Sequence, residues 1–379
     1  MKKYLLSLLC GILLLPGCNY LDMVPEKDIE TIESLFEQRT KVENWWKGLY
    51  SELNMIFANF RVNVAYLGAD EFVTCQALYS DATYNLDGLK VADGLQMSQN
   101  PYGSIWYRMY VIIRNCNIFL ENVDRTYDMT EEDRNWWKAD VKALKAYVYF
   151  ELVRHYGPIC LVPQNMPVNL PVKDYQLPRQ HVDTCFKEIV NLLDEAMEYL
   201  PKHGQRVSNY GYTFSLEGAY ALKAKVLLYA ASPLFNGNAF YSDFKNKNGE
   251  LLFNSTYDRN KWLLAAEAAD KAAQMCEDGG RSLSGGSTGK KTDLLNVMSD
   301  VERSMFSRFN NEEYLIEWKY PATFHEFILP RLIGDDVNFE NQALGCITPR
   351  TGSPLMPTSL GTTVIAINWV PKVVQTTRA

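Results

Sequence analysis

Apolar positions recur every three or four residues through most of the chain between residues 30 and 276, predicting one helix after another with short turns between them. From Glu30 to Leu53 a broad apolar face carries Leu35, Val42, Trp45, Trp46, Leu49 and Leu53. Residues 101–123 set Ile105, Met109, Ile112 and Cys116 at helical spacing, followed by Phe119 and Leu120. The next segment opens at Thr130, an N-cap with Asp133 three residues on in the manner of a capping box, and stops at Gly157-Pro158. Its stripe of Val141, Leu144, Val148 and Leu152 is flanked by Ala143, Ala146, Tyr147 and Phe150. A helix that apolar must be covered on more than one side. Residues 181–201 are amphipathic, with Val182, Phe186, Ile189, Leu193 and Met197 in register. Residues 215–235 read as helix up to Ser232-Pro233, and 258–275 are alanine-rich on both faces, which lets neighbours approach closely.

Between these segments the pattern changes. "PICLVPQNMPVNLP" (158–171) is extended and proline-rich, a crossing loop rather than a strand. Residues 61–104, 236–257 and 277–311 are polar and glycine-rich loops, while "EEYLIEWKYP" (312–321) alternates as a short strand would. Ala143-Leu144-Lys145-Ala146 returns as Ala221-Leu222-Lys223-Ala224, 78 residues later. Paired helices with small residues at contacts and large aromatics opposite follow the logic of tetratricopeptide-like stacking. The predicted fold is mainly α: a tetratricopeptide-like helical-pair scaffold with long irregular loops and a few short strands.

The first residues, "MKKYLLSLLCGILLLPGC", add a basic start, a short apolar run and a small residue before Cys18. That is a secretory signal of the lipoprotein kind, over residues 1–17, with Cys18 as the acylated first residue of the mature chain. A net charge of −7 and no basic stripe argue against a nucleic-acid surface. Cys75, Cys116, Cys160, Cys185, Cys276 and Cys346 are scattered without CxxC spacing, so neither a disulfide framework nor a zinc site is expected. Cys116 and Cys185 fall on apolar helix faces, where buried thiols are common.

No catalytic signature emerges. The doublets Asp70-Glu71, Glu312-Glu313 and Asp335-Asp336 do not form a glycosidase pair, because adjacent side chains diverge on a strand or a helix. "SLSGGSTGKKT" lacks the glycine spacing of a phosphate loop, and no metal or cofactor is called for. Binding suits the composition better. Aromatic residues make up 13% of the chain, and saccharide rings require flat apolar platforms beside Asp, Asn, Gln or Arg. Residues 79–106 supply that mixture in Tyr79, Asp81, Tyr84, Asn85, Asp87, Asn100, Tyr102 and Trp106, with Trp106 read first as a seal on the opening turn of its helix. Tyr320 and His325, after the predicted strand, form a second candidate group. Of each doublet, Trp45-Trp46 and Trp136-Trp137, one ring belongs to the core and the other is available to a partner.

Taken in order, the signal ending in Cys18, "RNCNIFLENV", "ALKAYVYFELVRHYGPICLVP", "IVNLLDEAMEYLP", "ALKAKVLLYAASPLF" and "NEEYLIEWKY" resemble the SusD/RagB family of outer-membrane lipoproteins. The resemblance covers most of residues 18–349. It implies a lipid-anchored protein at the cell surface, beside a SusC-type TonB-dependent transporter. There it would capture oligosaccharides or polysaccharides without catalysis. The alternatives are peptide capture, as in the RagB branch, and transporter docking without ligand contact. Residues 341–379 contain no Asp or Glu, and after Pro349 the sequence departs from the family. The expected division is a signal over 1–17, an incomplete nutrient-binding domain over 18–349 and an atypical disordered tail over 350–379, the product of truncation or a shifted frame.

Overall fold

In the computed structural model the described residues are 31–57, 64, 68, 72–73, 87–99, 101–205, 211–283, 313–316 and 348–349. Their helices are α1 (Ile32–Leu35), α2 (Arg39–Phe57), α3 (Asp87–Ala92), α4 (Trp106–Asn122), α5 (Glu131–Tyr156), α6 (Val182–Met197), α7 (Leu216–Ala231) and α8 (Asn260–Asp278). Two short strands, β1 (Phe72–Val73) and β2 (Thr348–Pro349), pair antiparallel with Phe72 opposite Pro349. The mainly helical prediction is met.

The long helices stack in sequence order, α2 on α4, α4 on α5, α5 on α6, α6 on α7 and α7 on α8. Contacts at their termini show that they alternate in direction. The Arg39 N–H at the start of α2 donates to Asp128 just before α5 (2.6 Å), and Leu216 at the start of α7 donates to Pro201 beyond α6 (2.9 Å). At the other end Gln180, before α6, donates to Ile159, after α5 (2.8 Å). The stack therefore has two ends, and the N-termini of α4, α6 and α8 share one of them with the C-termini of α5 and α7.

The helix α5 is the axis. Val141, Leu144, Val148 and Leu152 are fully buried, and so are Ala143, Ala146 and Phe150 on the flank. Thr130 caps the helix by accepting from the Asp133 N–H (3.1 Å), and Gly157 ends it at φ +69°. Asp140, also fully buried, accepts from Trp46 Nε1 (2.7 Å), the Tyr50 hydroxyl (2.7 Å) and the Phe214 N–H (2.7 Å). One carboxylate thus ties α2, α5 and the entry to α7.

Four expectations are corrected. The first helix is broken: α1 ends at Leu35, and Phe36 turns into the core, fully buried, before α2 begins. A short helix, α3, lies inside the segment read as loop. Residues 313–316 are not strand, although Leu315 and Ile316 are buried as the alternation suggested. Both rings of each tryptophan doublet pack inward. Trp46 stacks on Trp137 at 4.4 Å, Trp136 meets Trp46 edge-on at 5.6 Å, and Trp45 donates to the Asn115 carbonyl (3.2 Å).

The extended run after α5 lies on the stack without any sheet. Two tyrosines supply the missing strand partner. The Tyr110 hydroxyl donates to the Cys160 carbonyl (2.7 Å) and accepts from its N–H (3.0 Å); Tyr149 does the same for Val162 (3.0 and 2.9 Å). Asn117 adds a bond to the Val162 carbonyl (3.0 Å), and Lys145 one to Pro163 (2.9 Å). Buried backbone polar groups must be paired, and here side chains do it.

Candidate functional site: an aromatic-lined helix end

Of the residues expected to contact ligand, Tyr102 is described and is half-buried. Tyr79, Asp81, Tyr84, Asn85, Asn100, Tyr320 and His325 lie outside the described residues, as does Cys18. Tyr102 is held by its backbone: its N–H donates to Gln96 Oε1 (2.7 Å) and its carbonyl accepts from Gln96 Nε2 (3.2 Å). The Lys90 ammonium sits 4.9 Å from the centre of the Tyr102 ring. Gly103 takes φ +63°, and its N–H donates to buried Asp87 (2.7 Å), which turns the chain into α4. Asp87 therefore positions this turn through one carboxylate oxygen.

Trp106, the first residue of α4, seals the helix start. Its ring lies 4.9 Å from Tyr110 and 5.1 Å from Tyr156, with the Arg179 guanidinium 5.2 Å above it. The Tyr156 hydroxyl accepts from the N–H groups of Ile105 (2.8 Å) and Trp106 (3.1 Å), satisfying two of the donors a helix leaves open. Tyr107, next in sequence, is 79% exposed.

The same end carries a second aromatic group that the reading of 236–257 as plain loop overlooked. Phe235 packs edge-on against Phe186 of α6 (5.1 Å) and parallel to Phe253 (6.3 Å). Tyr241 stacks on Phe253 (4.7 Å, 21°), and Phe244 leans on it at 6.2 Å. Gly157 sits against the Phe253 ring, since a Cβ there would lie 3.4 Å from it. The signal was present as three aromatic residues within five, Phe240, Tyr241 and Phe244, between Asn-Gly turns.

Among the described residues no cluster of acids, histidines and cysteines could hold a metal, and no helix is long and apolar enough to cross a membrane. The buried thiols among the described residues hold their protons. Burial pushes Cys116 up to about 12 and Cys185 and Cys276 up to about 11. What the described residues of this end offer is ring faces, an arginine, a lysine and amide groups, which are means of binding.

Residues 19–228 match the SusD-like family described as starch-binding and associating with the outer membrane. The chain belongs to that family. Solved structures agree on the fold. A protein designated BT4246 shares 24% identity over 77% of this chain and 52% of its own, with a TM-score of 0.66. A SusD-like protein from Bacteroides fragilis shares 20% identity over 86% of this chain and 54% of its own, with a TM-score of 0.59. A laminarin binding SusD-like protein shares 17% over 75% of this chain and 52% of its own, at 0.50. This SusD-like chain thus spans about half the length of the structures it matches. No curated protein matches the sequence.

Proposed function

We propose that this SusD-like chain is an outer-membrane lipoprotein, anchored by acylated Cys18, that captures oligosaccharides or polysaccharides and hands them to a SusC-type TonB-dependent transporter. The observation that carries the reading is the family match over residues 19–228, a starch-binding family, on a scaffold that exposes the rings of Tyr107, Phe240, Tyr241 and Phe244 at one end. Saccharides stack their C–H faces on such rings and bond to the polar groups beside them. Tyr102 stands at the entry to α4 at that end, and Tyr79, Asp81, Tyr84, Asn85 and Asn100 are proposed as ligand contacts with it, Tyr320 and His325 as a second group. The role is capture without catalysis.

The test has three readings on the full chain expressed in a Gram-negative host. Mass analysis of the mature N-terminus should find acyl chains on Cys18. A glycan array should give saturable binding that falls about tenfold or more with Tyr102→Ala, the loss of one stacking contact. Reducing-end detection should find no product. Peptide binding in place of glycan, or transporter retention with no ligand at all, would replace the reading.

A further inference from the structure

We propose that the loop between α7 and α8 is a second saccharide-contact platform, on which Tyr241 and Phe244 carry a pyranose chain beyond the Tyr102 region. The inference rests on the glycan-binding reading above and adds a site to it. Two aromatic rings, 39% and 41% exposed, rest on a third, Phe253, which is buried. Their centroids are 6.3 Å apart and their planes are tilted by 57°, so together they form a shallow bay rather than a flat patch.

The rings are fixed in place, though they stand on a long loop. Asn238 accepts from the Phe240 N–H (3.0 Å), the Ser242 hydroxyl donates to the Ala239 carbonyl (2.9 Å), and the Phe244 N–H donates to Tyr241 (3.1 Å). Beyond Phe244 the chain makes a small hairpin closed by Leu252 N–H to the Phe244 carbonyl (2.9 Å) and turned at Gly249, φ +82°. Asn246 fastens that hairpin to the Arg179 carbonyl (3.1 Å). At the loop's start, the Asn236 amide bridges to Asp258 in both directions (2.8 and 2.8 Å). Exposed rings held this firmly lose little freedom when a ligand arrives.

The chemistry around them selects a saccharide over a protein surface. Asp243 and Lys245 alternate with the two rings in sequence and are exposed, and neither side chain makes a hydrogen bond or ion pair among the described residues. Charged side chains are depleted from the centres of protein interfaces, where they would be desolvated. They suit a ligand that offers hydroxyls at its rim and a flat apolar face at its middle. The platform also continues the first site: Phe253 beneath it touches Gly157, the residue after Tyr156, which caps α4 under Trp106.

Isothermal titration of the full chain with maltoheptaose, laminarihexaose, xylohexaose and mannohexaose tests it, with wild type, Tyr241→Ala/Phe244→Ala and Tyr241→Phe compared. For any glycan that wild type binds, the double variant should lose about tenfold in affinity and Tyr241→Phe about twofold at most, with helicity unchanged. Wild-type affinity in the double variant overturns the platform and leaves the glycan reading standing. The platform is overturned in the same way if the double variant fails only to retain a protein from outer-membrane extract. Failure of wild type to bind any of the four overturns both.

Discussion

Lysine in the repeated ALKA tetrapeptide shows how little a letter fixes at the residue scale. Lys145 is buried to 2% exposure, donating to Asn117 Oδ1 (2.6 Å) and the Pro163 carbonyl (2.9 Å), and burial holds its pKa below the usual value. Lys223, at the matching position, reaches out to Asp194 (2.5 Å) with a quarter of its side chain exposed. The repeat itself was legible because Ala143, Leu144 and Ala146 match Ala221, Leu222 and Ala224 in burial. What decides the lysine is the segment crossing above it, which no periodicity records. Lys145→Ala leaves the buried Asn117 Oδ1 without its donor and frees the Pro163 carbonyl, and should cost about 1–3 kcal/mol in urea unfolding. Lys223→Ala removes a surface pair and should cost about 1 kcal/mol or less. Equal losses would mean that the crossing segment is not held as described.

Helices were the readable elements and loops were not. The apolar stripes of α4 to α7 stood out because each helix buries a face on both sequence neighbours. The break at Phe36 stayed hidden because a buried aromatic at a turn looks like one more residue of the stripe. The loop between α7 and α8 is polar by composition, rich in Asn, Gly and Ser, yet those residues fix the turns that hold its rings. Gly237 is the clearest case. It takes φ +75°, and a Cβ there would fall 2.7 Å from the Tyr257 backbone nitrogen. Gly237→Ala should therefore destabilise the chain by about 1–3 kcal/mol and speed proteolysis between 232 and 259. Unchanged cleavage there would show that the loop does not depend on that close approach.

The whole molecule reads as a stack whose tryptophan doublets pack inward toward one end and whose exposed rings, Tyr107, Phe240, Tyr241 and Phe244, stand at the other. Its family was legible from ordered segments because they encode the packing surfaces of α4 to α7. The site was less so: of the contacts expected from the sequence Tyr102 is described, and the Tyr241 and Phe244 rings stand in a segment whose Asn and Gly turns hide them in a polar pattern. Stability at high pH tests the core. Cys116 at about 12 and Cys185 and Cys276 at about 11 keep their protons in the folded state above the usual 9.0. Their contribution is complete below pH ~9 and lost as the pH rises through the folded values, because the unfolded chain then binds fewer protons. Buried Tyr147, also raised by desolvation, acts in the same direction, while Lys145, lowered, acts against it. Urea midpoints should fall steadily from pH ~9 to ~11, and a flat or rising trend would mean that these groups are solvated.

Hydrogen exchange of the full chain, with and without the tightest oligosaccharide from the array, tests the central claim most directly. Protection should gather at the end that carries the exposed rings, over residues 87–110, 156–180 and 236–257, and leave 123–131 and 197–205 at the opposite end unchanged. Protection centred on that opposite end, or none at saturating ligand, would contradict the account.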